Sequence, residues 1–242
     1  MSDTLNFDTL EVMYKHHAID YYYNEMCSRI LPMYQDVAQT AENIAKENLW
    51  AQMNNGHAVV AGAEAVYETV KAQQREDESA LAFVRDRILE LAVAGLYHLW
   101  EREIVEFLFY DGIGSRQRID RRQLSNFNAI VARLRDRGWN IDDPERHTFY
   151  NTLVELQLVA NVSKHGAGSS LDRLREIPNA PVLDEMFIIP IEDYTPWYDY
   201  NATPVLKISM DDFARYHAAV KSFWSEAPID IDLEEDDEYS QS

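Results

Sequence analysis

The feature that most constrains this chain is the apolar series Leu89, Val93, Leu96, Trp100, Ile104 and Phe107, spaced three and four residues apart. That spacing puts every member on one face of a helix and predicts a helix over residues 79–110, ended by Asp111-Gly112-Ile113-Gly114. Gly95 sits inside the series at a cost of about 1 kcal/mol relative to alanine, which implies that another helix crosses closely there. A helix with one continuous apolar face needs other helices to cover it. The expected fold is therefore mainly α, an antiparallel helical bundle.

The flanking sequence supplies those helices. Residues 8–30 read as helix, with Pro32 ending it or opening the next at its first turn. Residues 33–53 continue in helix-forming composition up to Asn54-Asn55-Gly56. Residues 57–74 are alanine-rich and helical in pattern, and the charged run Arg75-Glu76-Asp77-Glu78 is expected to interrupt them before the long series begins. A further helix is predicted over 120–137, stopped by Gly138. The next is predicted from Asp142-Asp143-Pro144, with aspartate as N-cap and proline in the first turn, to about His165, where Gly166-Ala167-Gly168 ends it. Ser169 or Ser170 is suited to cap a short helix running to Glu176. Residues 186–189 and 205–208 have strand composition and are expected to pair as a small β-hairpin near the C-terminus. Ser209-Met210-Asp211-Asp212 reads as a capping box for a last helix through Phe223-Trp224. The expected organisation is a single domain over 1–229 and an acidic, disordered tail over 230–242, which holds seven acids and no basic residue.

Composition narrows the function classes. The absence of an apolar run of 18 residues and of a secretory leader pattern at the start points to a cytoplasmic protein with no membrane partner. The single cysteine, Cys27, forms neither an internal disulfide nor a cysteine-based zinc cage and reads as a small buried hydrophobe. His16-His17 lacks a matching ligand set, and His98 with Glu101 reads as a buried polar cluster or a surface pair, so no metal and no cofactor are expected. No serine lies in a nucleophile-elbow pattern. Trp197, Tyr198 and Tyr200 are of a type that stacks on bases or covers a core edge.

A formal net charge of -20 argues against a nucleic-acid partner until its distribution is considered. Residues 113–175 hold eleven basic residues against seven acids, a local excess of +4. The candidate anion-binding residues in this island are Arg116, Arg118, Arg121, Arg122, Arg146 and Arg173. The competing reading is that arginines on exposed helix faces pair with acids elsewhere.

Within the island lies Asn161-Val162-Ser163-Lys164-His165-Gly166, the end of the predicted 142–165 helix. On a helical wheel Phe149, Leu153, Leu156 and Ala160 form one apolar seam, while Val154, Leu158, Asn161 and His165 form a second. Two seams imply burial on two sides, either inside a bundle or between the bundle and a second subunit. A histidine that exchanges a proton near neutral pH, beside the fixed ammonium of Lys164, is suited to acid-base work on a phosphodiester. The same residues before a glycine also make an ordinary helix C-cap.

This turn, the helices before it and the arginine-rich flank resemble the HEPN superfamily over about residues 80–175. In that family an Arg, usually followed directly by a polar residue such as Asn, and a His a few residues later close a bundle helix. The active members cleave RNA without metal at a dimer interface. Asn161 matches the polar residue and His165 the histidine, but Ala160 stands where the arginine belongs. The resemblance implies a homodimer that binds RNA or a nucleotide, in a bacterial or phage defence or toxin-antitoxin setting, with cleavage lost or weakened. One alternative is an active metal-independent endoribonuclease in which His165 is general acid or base, Asn161 orients it, and Lys164 with Arg146 or Arg122 supplies the missing charge. The other is an acidic interaction or inhibitor module whose tail engages a basic protein partner.

Overall fold

The computed structural model describes residues 7–54, 63–114, 120–143, 145–166, 168–183 and 206–228, and these are mainly helical. Helix α1, Thr9–Glu25, is capped by Asp8, whose carboxylate accepts from the Leu10 amide at 2.6 Å. Its end widens into a π turn, Met26–Ile30, and then tightens into a 3-10 turn, Leu31–Tyr34, in which Pro32 occupies the first turn. The predicted helix over 8–30 is thus regular only to Glu25.

Helix α2, Val37–Asn54, packs on α3, Ala63–Gly114, and Val37, Ala41, Ala45, Val66 and Val70 are buried. α3 runs 52 residues, about 78 Å at 1.5 Å per residue. The interruption expected at Arg75-Glu76-Asp77-Glu78 does not occur. Arginine and glutamate are good helix formers, and Asp77 bonds Gln73 across one turn at 3.0 Å, so the run is an exposed helical face.

The predicted helix over 120–137 is broken in two. Asp120 caps a 3-10 turn, Arg121–Leu124, and Asn126 then caps α4, Phe127–Asp136, by accepting from the Ala129 amide at 3.0 Å. Two local side-chain caps outcompete a continuous helix here. The helix predicted from Asp142 begins later, as α5, Tyr150–His165, with Phe149 at its N-cap. The Asp143 carboxylate instead accepts from the Glu145 amide in a turn. Gly166 ends α5 at φ 70°. Helix α6, Ser169–Arg175, is preceded by Gly168 with no side-chain cap, so neither Ser169 nor Ser170 takes the role expected of it. Helix α7, Met210–Ser225, opens with the anticipated capping box of Ser209 and Asp212. Val182 and Leu206 form an isolated antiparallel bridge, and Phe7 also stands at a bridge position. The strand expected over 186–189 lies outside the described residues, as does the 230–242 tail.

One hydrophobic core joins α1, α3, α4, α5, α6 and α7. The apolar series from Leu89 to Phe107 lies at its centre: Trp100, Leu96, Val93 and Ile104 are wholly buried. Trp100 meets Phe223 of α7 edge-on at 5.3 Å, and Phe7 stacks on Phe107 at 3.8 Å while its amide donates to the Pro228 carbonyl at 2.8 Å. The close crossing expected at Gly95 is present. The Tyr22 ring of α1 lies against it, and the Tyr22 hydroxyl donates to the Ala92 carbonyl at 2.8 Å.

Candidate functional site

The polar end of α5 is placed by its apolar seams. Phe149, Leu153, Leu156 and Ala160 are all buried, facing the core shared with α3 and α7. The second seam grades outward, from buried Leu158 through half-buried Asn161 to exposed His165. That seam is covered by α6 of the same chain, which turns back after Gly166 and Gly168 and buries Leu171 and Leu174. Of the two explanations for a doubly apolar helix, the interior of one helical body therefore accounts for Leu158 and Asn161 without a second subunit.

Asn161 does not bond to His165; its amide donates to the Ser170 hydroxyl of α6 at 3.5 Å, a long contact. Lys164 and His165 are exposed, and no ion pair or hydrogen bond from a side chain engages either among the described residues. Ala160 is 1% exposed and packs into the core, so the position the HEPN pattern gives to an arginine faces away from solvent.

The basic island is only partly assembled. Arg116 and Arg118 fall outside the described residues. The Arg121 guanidinium lies over the Phe109 ring at 4.5 Å, and Arg122 is exposed on the same 3-10 turn. Arg135 is ion-paired with Asp142, and Arg146 with Asp143 at 3.5 Å. Arg146 also precedes the far end of α5, some 16 residues or roughly 24 Å along the axis from His165. Arg173 is exposed on α6; at the start of α5, burial and Asp142 push the Tyr150 hydroxyl above its ordinary value, and Arg135 and Arg173 pull it back.

Two polar clusters were invisible in the sequence. Glu155, 6% exposed on α5, is held by both terminal nitrogens of Arg215 at 2.7 Å each and by the Tyr216 hydroxyl at 2.7 Å. Arg215 also donates to Asp212 at 3.1 Å, and this charge-rich setting raises the already high Arg215 value. Between α1 and α7, Asp20 receives His217 at 2.9 Å and Lys221 at 3.0 Å, while Tyr23 stacks on the His217 ring at 4.1 Å and His16 meets the Ser225 hydroxyl at 3.1 Å. Partners here are some 60 and 200 residues apart, so no local motif could have announced them. Both clusters are internally satisfied, which suits them to fixing helix register.

The remaining candidates resolve simply. His98 and Glu101 form a surface pair at 3.3 Å, with the Tyr97 hydroxyl donating to the same carboxylate at 2.9 Å. Cys27 is half-buried beside Tyr23, less enclosed than its flanks suggested. Trp197, Tyr198 and Tyr200 lie outside the described residues. A recess of about 350 Å³ between α3 and the segment after Leu206 is lined by Arg85, Arg87, Glu90 and Lys207, but Arg85 is paired with Asp86 and Arg87 with Glu90. No group of three or more potential metal ligands occurs among the described residues, and no helix among them is long and apolar enough to cross a membrane. No known protein family, curated protein or solved structure matches this chain.

Proposed function

We propose that the chain binds RNA or a nucleotide through the surface of the α5–α6 turn, as a cytoplasmic protein with the antiparallel bundle of the HEPN type and with cleavage lost or weakened. The observation that carries this reading is the pair of exposed, unneutralised cations on α5 and α6. Among the described residues Lys15, Arg29, Lys46, Arg102, Arg215 and Lys221 are each paired with a carboxylate, as Arg135 and Arg146 are within the island, whereas Lys71, Arg75 and Lys207 are not. Lys164 and Arg173 are exposed and have no such partner among the described residues. Unneutralised cations on an acidic chain are available to phosphates, which supply the salt-dependent part of nucleic-acid affinity. Binding is favoured over cleavage because buried Ala160 supplies no guanidinium beside His165 and Arg146 sits at the other end of α5.

The test is fluorescence anisotropy with a labelled single-stranded RNA of about 15 nucleotides, titrated at several salt concentrations. Replacing Lys164 and Arg173 together by glutamate is expected to weaken binding and to flatten the slope of log K against log salt by roughly 1.4, at about 0.7 per phosphate contact on a single strand. No wild-type binding at 50 mM salt, or an unchanged slope in the double variant, overturns the proposal. Chelator-resistant cleavage that is lost in His165→Ala would replace it with the ribonuclease reading.

A further inference from the structure

The outer face of α1 carries the most concentrated exposed apolar surface among the described helices. At 100° per residue, Leu10, Tyr14, His17 and Tyr21 fall within about 60° of one another, with Met13 adjoining them. The opposite side of the helix, Val12 and Ile19, is the side that enters the core. Yet Leu10 is 60%, Met13 55%, Tyr14 69% and Tyr21 61% exposed. A surface helix ordinarily places polar residues there, and a contiguous apolar patch of this kind on a soluble domain marks an interaction surface.

From this arrangement we infer that a second copy of the chain docks on the α1 face, the two helices lying antiparallel about a two-fold axis. Three observations select this occupant. First, the face is self-complementary: with the axis passing between Tyr14 and His17, Leu10 of one copy meets Tyr21 of the other, and Tyr14 meets His17, so every large side chain acquires an apolar or aromatic neighbour. Second, the acids along its margins are already neutralised within the chain, Glu11 by Lys15 at 3.6 Å, Glu25 by Arg29 at 3.1 Å and Asp20 by Lys221 at 3.0 Å. Two copies of an acidic protein therefore approach here without bringing unpaired carboxylates together. Third, with about 200 Å² per fully exposed tyrosine and somewhat less for leucine and methionine, the four side chains offer roughly 450 Å² per copy. Doubled, and with the helix margins added, this reaches the lower end of the area that specific dimers bury, about 1,200 Å². The α5–α6 turn takes no part in this contact, so the inference is independent of the RNA-binding proposal.

Sedimentation equilibrium of the full chain between about 1 and 100 µM is expected to show association toward twice the 28.1 kDa chain mass. Tyr14→Glu with Tyr21→Glu should weaken it on the order of a hundred-fold, since buried tyrosines are frequent interface anchors. Trp50→Glu, which alters an exposed aromatic on α2, should associate like wild type. Register is read separately: in a Cys27→Ser background, Leu10→Cys with Tyr21→Cys should oxidise to a covalent dimer. Leu10→Cys alone should not, its two copies standing about 16 Å apart along the helix. A wild-type mass of 28.1 kDa throughout, an undiminished dimer in the double glutamate variant, or no covalent dimer from the paired cysteines overturns the inference.

Discussion

Arg215→Met tests whether the Glu155 cluster fixes α5 against α7. In the native chain the Glu155 carboxylate has almost no contact with water and accepts two parallel bonds from one guanidinium and a third from Tyr216, all at 2.7 Å. Methionine keeps the aliphatic length of arginine and removes both charged donors, leaving a buried carboxylate with only the Tyr216 hydroxyl. Removing one partner of a buried pair typically costs about 3–5 kcal/mol, mostly as the penalty for the charge left behind. The Arg215 side chain is 40% exposed, so water enters part of the vacated space and the loss should fall near the lower end, about 3 kcal/mol. Urea denaturation followed by far-UV circular dichroism should then show a lower midpoint at unchanged slope. Glu155→Gln combined with Arg215→Met removes the stranded charge while keeping an acceptor for Tyr216, and should recover at least about 1 kcal/mol of the single-variant loss. A loss below about 1 kcal/mol for Arg215→Met, or a double variant no more stable than the single one, would refute the argument that an uncompensated charge dominates.

Gly95→Ala separates helix propensity from packing. Propensity alone favours alanine by about 1 kcal/mol, but the added methyl would collide with the Tyr22 hydroxyl and sit 3.1 Å from its ring carbon. Overpacking of this kind costs about 1–3 kcal/mol, so the variant should melt lower than wild type, and a higher Tm would show that Tyr22 moves aside freely. The α1–α7 seam supplies a pH dependence. Burial holds His16 below its ordinary 6.5, with Lys221 adding to the effect and Asp20 opposing it; burial likewise lowers His217 against the pull of Asp20. Folded values below the unfolded ones mean that this stability is fully present above about pH 6.5 and is lost as pH falls through the folded values. Thermal melts at pH 7.5, 6.5 and 5.5 should show a declining Tm, less steeply in His217→Gln; a wild-type Tm that is level or rising over that range contradicts the assignment.

The helical character of the chain was legible because its signals are local. The spacing from Leu89 to Phe107 needs only one turn of context, and Ser209 with Asp212 makes a capping box readable from four residues. In other segments two local signals compete. Asp142, Asp143 and Pro144 look like a helix start, but the same aspartates are consumed by a turn and by Arg135 and Arg146, and the helix waits until Tyr150. Residues 75–78 look like a break because they are charged, yet charge on a helix sets its exposed face without ending it.

The candidate site was legible to a different depth. Sequence spacing located the turn and the fall from apolar to polar along the second seam of α5, because a wheel records direction. It could not record what lies in that direction. Only tertiary packing shows that α6 covers Asn161 and leaves His165 in solvent, and that Ala160 points into a core formed with helices far away in sequence. Ala160 is enclosed, and an arginine there would need either to break the packing of the buried α5 face or to bury an unpaired charge. The small side chain at this position is thus a packing requirement of the helical body, and the charged or titratable groups that α5 and α6 present to solvent here are those of Lys164, His165 and Arg173.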